Sequence, residues 1–325
     1  LTSAESSIIQ AVQSGAADIR FIHNSDVAPG PNQTAYCSYE IESWDKATNT
    51  AAIWVLVPTI YPDSDIDYIK MWYNDEVDGA VIDIQDSTAV FAATNNFEAV
   101  WHMNQDPSGG AGAVLDSTAN AYDGTSSGGM TSGDLVDSVI GPGIYFDGSD
   151  DVIDCGSVDV SDTDDVTIEA WGYYDATSYW WRGFIGQNSG QNDSDYEIDV
   201  SDTGQFRTWV DDNQWTPAQY FPQKSWFHVA FTYSWNGPGG GNSWRYLYFN
   251  GVLVYSDRSV DPQIPNDGTF KIGDNWDPDL AWLGIIDEVR VSDSQRSADW
   301  IKLEYMNQRP DQGAGARLTT ITIDP

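Results

Sequence analysis

Positive charge is the scarcest property of this chain: 325 residues hold 14 Lys and Arg against 50 Asp and Glu, a net charge of −36. Phosphate backbones are gripped by clustered Lys and Arg, so nucleic acid is excluded as a partner, and an anionic membrane surface is disfavoured for the same reason. Histidine is also rare. His23, His102 and His228 are scattered, with no paired-His metal signature, no Gly-x-Ser-x-Gly elbow and no phosphate loop. His102 and His228 are expected as packed or hydrogen-bonded strand residues. The two cysteines, Cys37 and Cys155, fall in different expected modules, which leaves open one inter-module disulfide or two buried thiols. No apolar run approaches the roughly 20 residues that a membrane helix needs, so no membrane insertion is expected. The chain opens at Leu1 with no signal peptide, and a processed protein or a fragment is expected.

Aromatic residues, by contrast, are abundant. With 15 Trp, 17 Tyr and 41% hydrophobic residues, the chain has material for real cores, and sheets are where so many rings usually pack. Its length suggests about two domains. A first series of β-like runs covers 18–22, 39–44, 51–57 and 67–73, behind a helical turn within 4–14. Pro58 and Pro62 close the third run, since proline cannot donate to a central ladder. A second series reads 98–103, 144–146, 152–155, 166–174, 183–187, 196–200, 206–210, 226–233, 245–249, 252–256, 269–272 and 281–291. Thr167-Ile168-Glu169-Ala170-Trp171 shows clear period-2 alternation, and Asn250-Gly251 between two runs is a strong hairpin signal. Twelve short strands with regular turns predict a two-sheet sandwich or jelly roll. A helix is expected over 297–306, with Ser297 as its cap. Residues 308–315 read as a linker, and 317–324 alternate again as a lone strand.

The second series resembles the bacterial and archaeal laminin-G-like (concanavalin A-like) domain. The resemblance runs from Val100-Trp101-His102-Met103 through Asp116-Ser117-Thr118-Ala119-Asn120-Ala121-Tyr122-Asp123 and Phe146-Asp147-Gly148-Ser149-Asp150-Asp151. It continues with Ile168-Glu169-Ala170-Trp171, Trp226-Phe227-His228-Val229-Ala230 and Leu247-Tyr248-Phe249-Asn250-Gly251. Its most specific piece is Gly284-Ile285-Ile286-Asp287-Glu288-Val289-Arg290-Val291-Ser292. The front is similar to a domain of unknown function that commonly precedes such sandwiches in secreted multi-module proteins. There the matching residues are Ala17-Asp18-Ile19-Arg20-Phe21, Tyr39-Glu40-Ile41-Glu42-Ser43-Trp44-Asp45, Ile53-Trp54-Val55-Leu56-Val57-Pro58 and Met71-Trp72-Tyr73. The resemblance implies an all-β protein: a small β-sandwich over 1–92, a laminin-G-like jelly roll over 93–308, then linker and terminal strand over 309–325. It also implies a secreted, extracellular or cell-surface location.

That front family opens with an Ile-Thr-Ile-Asp strand, which this chain lacks at its start, while Thr320-Ile321-Thr322-Ile323-Asp324 at the far end looks like it. Three readings follow. The strand enters the front module of another copy, joining copies head to tail by β-augmentation; or it begins the next repeat of a tandem array; or it folds back within its own chain. Calcium is the expected cofactor by resemblance, with Asp116, Asp123, Asp147 and Asp287 as ligands and Asp147 and Asp287 sharing one site if their strands are neighbours. Turn-forming Asp residues are the plainer reading of each. Trp180, Trp181 and Trp215, in loop-like contexts, are the candidate glycan-stacking residues. Glu197-Ile198-Asp199-Val200-Ser201-Asp202 is close to the Glu-x-Asp-x-x-Glu strand of jelly-roll endoglycanases, but its third acid is one methylene shorter and abuts a Thr203-Gly204 turn. The expectation is therefore a non-enzymatic structural or adhesive surface protein, with glycan binding as the alternative and hydrolysis as a distant third.

Overall fold

The computed structural model describes residues 6–13, 15–24, 36–60, 68–73, 84–160, 164–175, 181–190, 193–201, 203–211, 213–216, 221–235, 243–259, 263–274 and 280–309. The chain divides into two compact units, Leu1–Ala92 and Ala93–Pro325. In the first, helix α1 (Ser6–Ala11) precedes strands β1 (Arg20–His23), β2 (Tyr39–Asp45), β3 (Thr50–Val55) and β4 (Ile69–Trp72), and a one-turn helix α2 (Ser87–Val90) follows. β1 pairs antiparallel with β4, and β2 with β3. The two ribbons and α1 share one core, in which Ile8, Val12, Ile19, Phe21 and Tyr39 are buried and Ile53 and Met71 pack against them. The Tyr39 hydroxyl donates to the Ile19 carbonyl at 3.0 Å, so the polar end of that ring is satisfied inside the core.

The second unit is a two-sheet sandwich, and the whole protein is all-β in class. Its strands are β5 (Phe97–Trp101), β6 (Thr125–Ser127), β7 (Leu135–Asp137), β8 (Pro142–Asp147), β9 (Val152–Asp154), β10 (Asp165–Tyr174), β11 (Arg182–Gly190), β12 (Asp193–Val200), β13 (Phe206–Asp211) and β14 (Asn213–Trp215). Five more follow: β15 (Trp226–Ser234), β16 (Ser243–Phe249), β17 (Val252–Ser259), β18 (Thr269–Ile272) and β19 (Leu283–Ser292). One sheet runs β17-β16-β15-β10-β19-β8-β7 with β5 also on β19; the other runs β14-β13-β12-β11-β18-β9-β6. The first half of β19 pairs with β8 and its second half with β5, and the changeover falls at Asp287-Glu288, where Glu288 adopts φ 53°. This position is costly for a non-glycine residue. Glu288 is held there by His102 Nδ1 at 2.8 Å and by Arg290 Nη2 at 2.7 Å.

Between the sheets lies an aromatic core. Phe227 is fully buried, with ring centroids of Phe221 at 4.5 Å and of Phe184 and Phe206 at 5.7 Å. Gly172 stands opposite Phe227 in the β10–β15 register because a Cβ there would sit 2.6 Å from that ring and 2.9 Å from Phe184. Outside the sandwich, helix α3 (Ala298–Gln308) lies over the eight-stranded sheet, capped by the Ser297 hydroxyl accepting from Trp300 N–H. Ile301 packs on Ala230 and Tyr248, and Tyr305 stacks on Trp171 with centroids 5.6 Å apart.

The strand pattern read from the sequence matches these elements to within a few residues. β6, β7 and β14 were not foreseen, because three-residue strands are too short to show alternation. The terminal strand, with Thr320, Ile321, Thr322 and Ile323, lies outside the described residues. Cys37 and Cys155 are each buried as free thiols, one in each unit. Replacing Phe227 by Ala is expected to lower the unfolding free energy of the larger unit by about 3–5 kcal/mol, as for other buried aromatic-to-alanine changes. Urea denaturation followed by tryptophan fluorescence measures it, and a loss below about 1 kcal/mol would show that the ring cluster relaxes into the void.

Candidate functional site: the outer face of the seven-stranded sheet

β12 alternates strictly over its second half: Tyr196, Ile198 and Val200 enter the core, so Glu197 and Asp199 stand on the outer face. Charges on an outer face are normally solvated, yet these two are 1% and 0% exposed. β13 supplies the cover by the same alternation, with Phe206 and Val210 inward and Arg207 and Trp209 outward. In the register, Arg207 faces Asp199 and Trp209 faces Glu197. Arg207 Nε donates to Asp199 Oδ2 at 2.7 Å, and Trp209 Nε1 donates to the same oxygen at 3.0 Å. The guanidinium lies over two rings, 4.6 Å from Trp181 and 5.0 Å from Trp209. A planar cation stacked in this way is attracted to both ring faces while its edge binds the carboxylate.

Glu197 has no such partner. Ser194 Oγ donates to its Oε2 at 2.8 Å, and its Oε1 finds no donor. Burial pushes its pKa well above the usual carboxylate range, and the adjoining Asp199 carboxylate pushes it further. The raised pKa favours the protonated form of Glu197, in which the proton turns the Glu197–Asp199 contact into a hydrogen bond. Beside Glu197 the neighbouring strand carries Gly186, where a Cβ would lie 2.5 Å from Glu197 Cα, so glycine lets β11 approach β12 there.

At the end of the same sheet, a cavity of about 300 Å³ is lined by Asn188, Thr269, Lys271 and the Asp267-Gly268 turn, among others. Asp195 is fully buried beside it, at the β12 bulge between Ser194 and Tyr196. None of Asn188, Asp195, Arg207, Trp209 and Asp267 was singled out from the sequence. For Arg207 and Trp209 the outward phase of β13 was available as a signal; for the others no local pattern exists.

Of the expected stacking residues, Trp181 is half-buried against Arg207. Trp180 lies outside the described residues. Trp215 pairs with Thr208 through its backbone on β14, and its side chain lies outside the described residues. The expected calcium ligands do not converge. Asp116 is a turn acceptor, taking the N–H groups of Val100, Thr118 and Tyr122, while Asp123 takes the N–H of Asp116. Asp147 and Asp287 do sit on paired strands, but the register puts Asp147 opposite Leu283, four residues and so about 13 Å along the strand from Asp287. A site shared by those two is thereby corrected. Asp147 gathers instead with Asp150 and Asp151, their ligand atoms within 4.8 Å of one another. Asp287 accepts from Ser138 Oγ at 2.7 Å and from Ile140 N–H at 3.0 Å. His102 and His228 are buried against Glu288 and Glu169, respectively, on the other sheet. The third acid of the Glu197 strand, Asp202, lies outside the described residues.

These two antiparallel sheets define the larger unit as a concanavalin-type sandwich. Residues 147–302 match the concanavalin A-like lectin/glucanases superfamily, and residues 16–104 match a domain of unknown function, DUF2341. Among solved structures, domain 4 of the extracellular arabinanase AbnA from Geobacillus stearothermophilus is similar at 20% identity, over 63% of this chain and 98% of that one, with a TM-score of 0.47. A Trypanosoma rangeli sialidase is similar at 13% identity over 69% of this chain, with a TM-score of 0.49. The botulinum neurotoxin serotype D binding domain is similar at 16% identity over 66%, with a TM-score of 0.47. The chain spans only 34% of that sialidase and 52% of that toxin domain. No curated protein matches the chain. Among the described residues, no helix is long and apolar enough to cross a membrane.

The Asp116 turn carries a pH signature. Glu98 accepts from Asn120 Nδ2 at 2.9 Å and from the Tyr122 hydroxyl at 3.3 Å, and burial raises its pKa to about 7. Its pKa is raised on folding, so its contribution to stability is complete below its unfolded value and is lost as pH rises through about 7. The Tm of the native chain is expected to fall more between pH 4.5 and 7.5 than that of Glu98→Gln, which keeps the acceptor oxygen. Parallel curves in calorimetry would show that Glu98 carries none of this dependence.

Proposed function

We propose that the larger unit of this protein binds carbohydrate on the outer face of its seven-stranded sheet, holding its ligand without cleaving it, within a secreted surface protein. The observation that carries this is the partly exposed Trp181–Arg207–Trp209 stack above Asp199. Sugar rings present C–H faces to aromatic rings, while their hydroxyls need donors and acceptors at the rim. The partly exposed Trp181 and Trp209 indoles and the Arg207 guanidinium supply both within one patch. Retention of the ligand intact fits the carboxyls. A retaining glycosidase holds its pair about 5–5.5 Å apart to straddle the bond. Here Glu197 and Asp199 touch, and Asp199 is locked by Arg207 and Trp209. An adhesive role on a cell surface follows from such binding. The joining of copies by Thr320, Ile321, Thr322 and Ile323 is a separate proposal resting on their sequence pattern; filaments in micrographs of the purified chain would support it, and monodisperse particles would oppose it.

Affinity electrophoresis through gels containing a panel of neutral and acidic polysaccharides tests the main reading. At least one polymer is expected to retard the chain, with no reducing ends released. Trp181→Ala is expected to weaken retention about tenfold or more, as loss of an anchoring aromatic ring usually does. Unretarded migration through every gel would defeat the proposal, as would reducing ends that appear with the native chain and vanish with Glu197→Gln.

A further inference from the structure

The outer face of the eight-stranded sheet carries a second strip of aromatic rings. β16 alternates along its length: Leu247 and Phe249 enter the core, so Trp244, Tyr246 and Tyr248 stand on the outer face. Tyr248 is 4% exposed beneath Ile301 of α3, whereas Tyr246 is half-buried and Trp244 is 39% exposed. The Trp244 and Tyr246 rings lie within 13° of parallel, with centroids 5.9 Å apart. From the segment that leads into α3, Gln295 Nε2 donates to the Trp244 carbonyl at 3.0 Å and anchors that end of the strip. Among the described residues of the larger unit, five large apolar side chains are exposed. Four of them, Trp244, Val252, Leu253 and Tyr255, belong to the β16–β17 hairpin. Exposed apolar groups gathered in this way mark a contact surface.

Charge, hydroxyl content and one unpartnered atom decide what fits there. The cross-strand neighbours are Ser234 and Arg258 for Trp244, and Thr232 and Ser256 for Tyr246. None of the four is acidic, in a chain with 50 Asp and Glu. Asp165 lies one strand further on, bonded to Ser234, and Asp257 has the opposite phase and faces Arg245 at 3.6 Å. A neutral ligand can therefore settle on the rings without stripping water from carboxylates. The net charge of −36 repels acidic polymers and a second copy alike. Rings flanked by hydroxyls suit a sugar, which has C–H faces and a hydroxyl rim. Thr232 supplies an independent sign. It is fully buried beside Tyr246 in the register, and its Oγ1 has no hydrogen-bond partner. A hydroxyl left in this way is relieved by water or by another hydroxyl, and an apolar side chain or a lipid tail would leave it as it is.

We propose that Trp244 and Tyr246 form a second carbohydrate-binding strip, which takes a neutral polysaccharide chain with sugar faces on the two rings and sugar hydroxyls toward Ser256 and Gln295. The strip lies on the sheet opposite the Trp181–Arg207–Trp209 stack and shares no residue with it, so it stands whether or not that stack binds sugar. Where both bind, one chain bridges two polymer strands, because the outer faces of the two sheets point away from each other.

The test is affinity electrophoresis of the full chain through gels containing hydroxyethylcellulose, xylan or galactomannan, with alginate as the acidic polymer. The native chain is run beside Trp181→Ala, Trp244→Ala and the double variant. Trp244 is exposed enough for its truncation to leave the fold intact, which circular dichroism checks, and Trp244→Phe, which keeps a ring, is expected to keep retention. In at least one neutral gel, Trp244→Ala is expected to weaken retention about fivefold or more, and the double variant to fall below either single one. Alginate is expected to retard none of them, and retention by alginate alone would overturn the proposal. It would also fall if Trp244→Ala matched the native chain and the double variant matched Trp181→Ala, which would leave sugar binding on the seven-stranded sheet alone. The converse, with retention lost in Trp244→Ala and unchanged in Trp181→Ala, would support this strip and remove the earlier reading. No retention in any neutral gel would overturn both. A native dimer in analytical ultracentrifugation that Trp244→Ala dissociates would show that a second copy covers the rings, and would overturn the proposal equally.

Discussion

Burying a carboxylate requires a cation beside it or a proton on it, and this chain has 14 Lys and Arg for 50 acids. The arrangement of both outer sheet faces follows from that shortage. On the eight-stranded sheet, one fully buried guanidinium, Arg290, bonds Glu288 at 2.7 Å and Glu304 at 2.5 Å. Burial alone would weaken its hold on the proton, but Glu304, Glu288 and Glu169 more than reverse this and raise its pKa. Through Glu304 it fastens α3, and through Glu288 it holds the strained residue where β19 changes partners. On the seven-stranded sheet, Arg207 does the corresponding work for Asp199. Guanidinium suits both places, because its planar fork binds carboxylates edgewise and its faces stack on rings.

Where no arginine reaches, the acids take other routes. Burial raises the pKa of Glu197 well above the usual carboxylate range, and Asp151 and Asp195 are each raised to about 6, chiefly by burial. Asp116 and Asp287 are spent on backbone and hydroxyl donors. The chemical character of the candidate ligand face comes from this division: Asp199 clamped by Arg207, Glu197 beside it with its pKa raised, and at the sheet end Asp195 held by Gln187 and the Gly268 N–H. The aromatic interior takes no part in it. Its task is to hold the two sheets at a fixed spacing, so that strand phase alone decides which residues reach the outer face.

Much of the fold was legible residue by residue. The alternation at Thr167–Trp171 marks β10. Asn250 and Gly251, at φ 49° and 73°, form the two-residue turn that their dipeptide announces, joining Phe249 to Val252. Ser297 caps α3 as its position before the apolar run suggested. The candidate site was legible only in fragments. Glu197 and Asp199 drew notice as a motif, and Trp181 as an aromatic in a loop-like stretch. Their meeting through Arg207 depends on the β12–β13 register, and the lone Asp147–Asp287 inference failed on register as well: neighbouring strands do not imply neighbouring residues.

Sequence alone determined where the longer strands run, where the chain turns between them, and that cations are scarce. These are local or compositional properties, carried by side-chain period and turn chemistry within a few residues. Tertiary structure alone decided that Asp195 meets Asp267 across 72 positions of chain and that Glu197 is sealed from water. It also decided that Arg290 serves a helix and a strand at once. Such contacts are set by sheet order and register, where a slip of one residue would turn every outward side chain inward, and no short stretch of sequence records that choice.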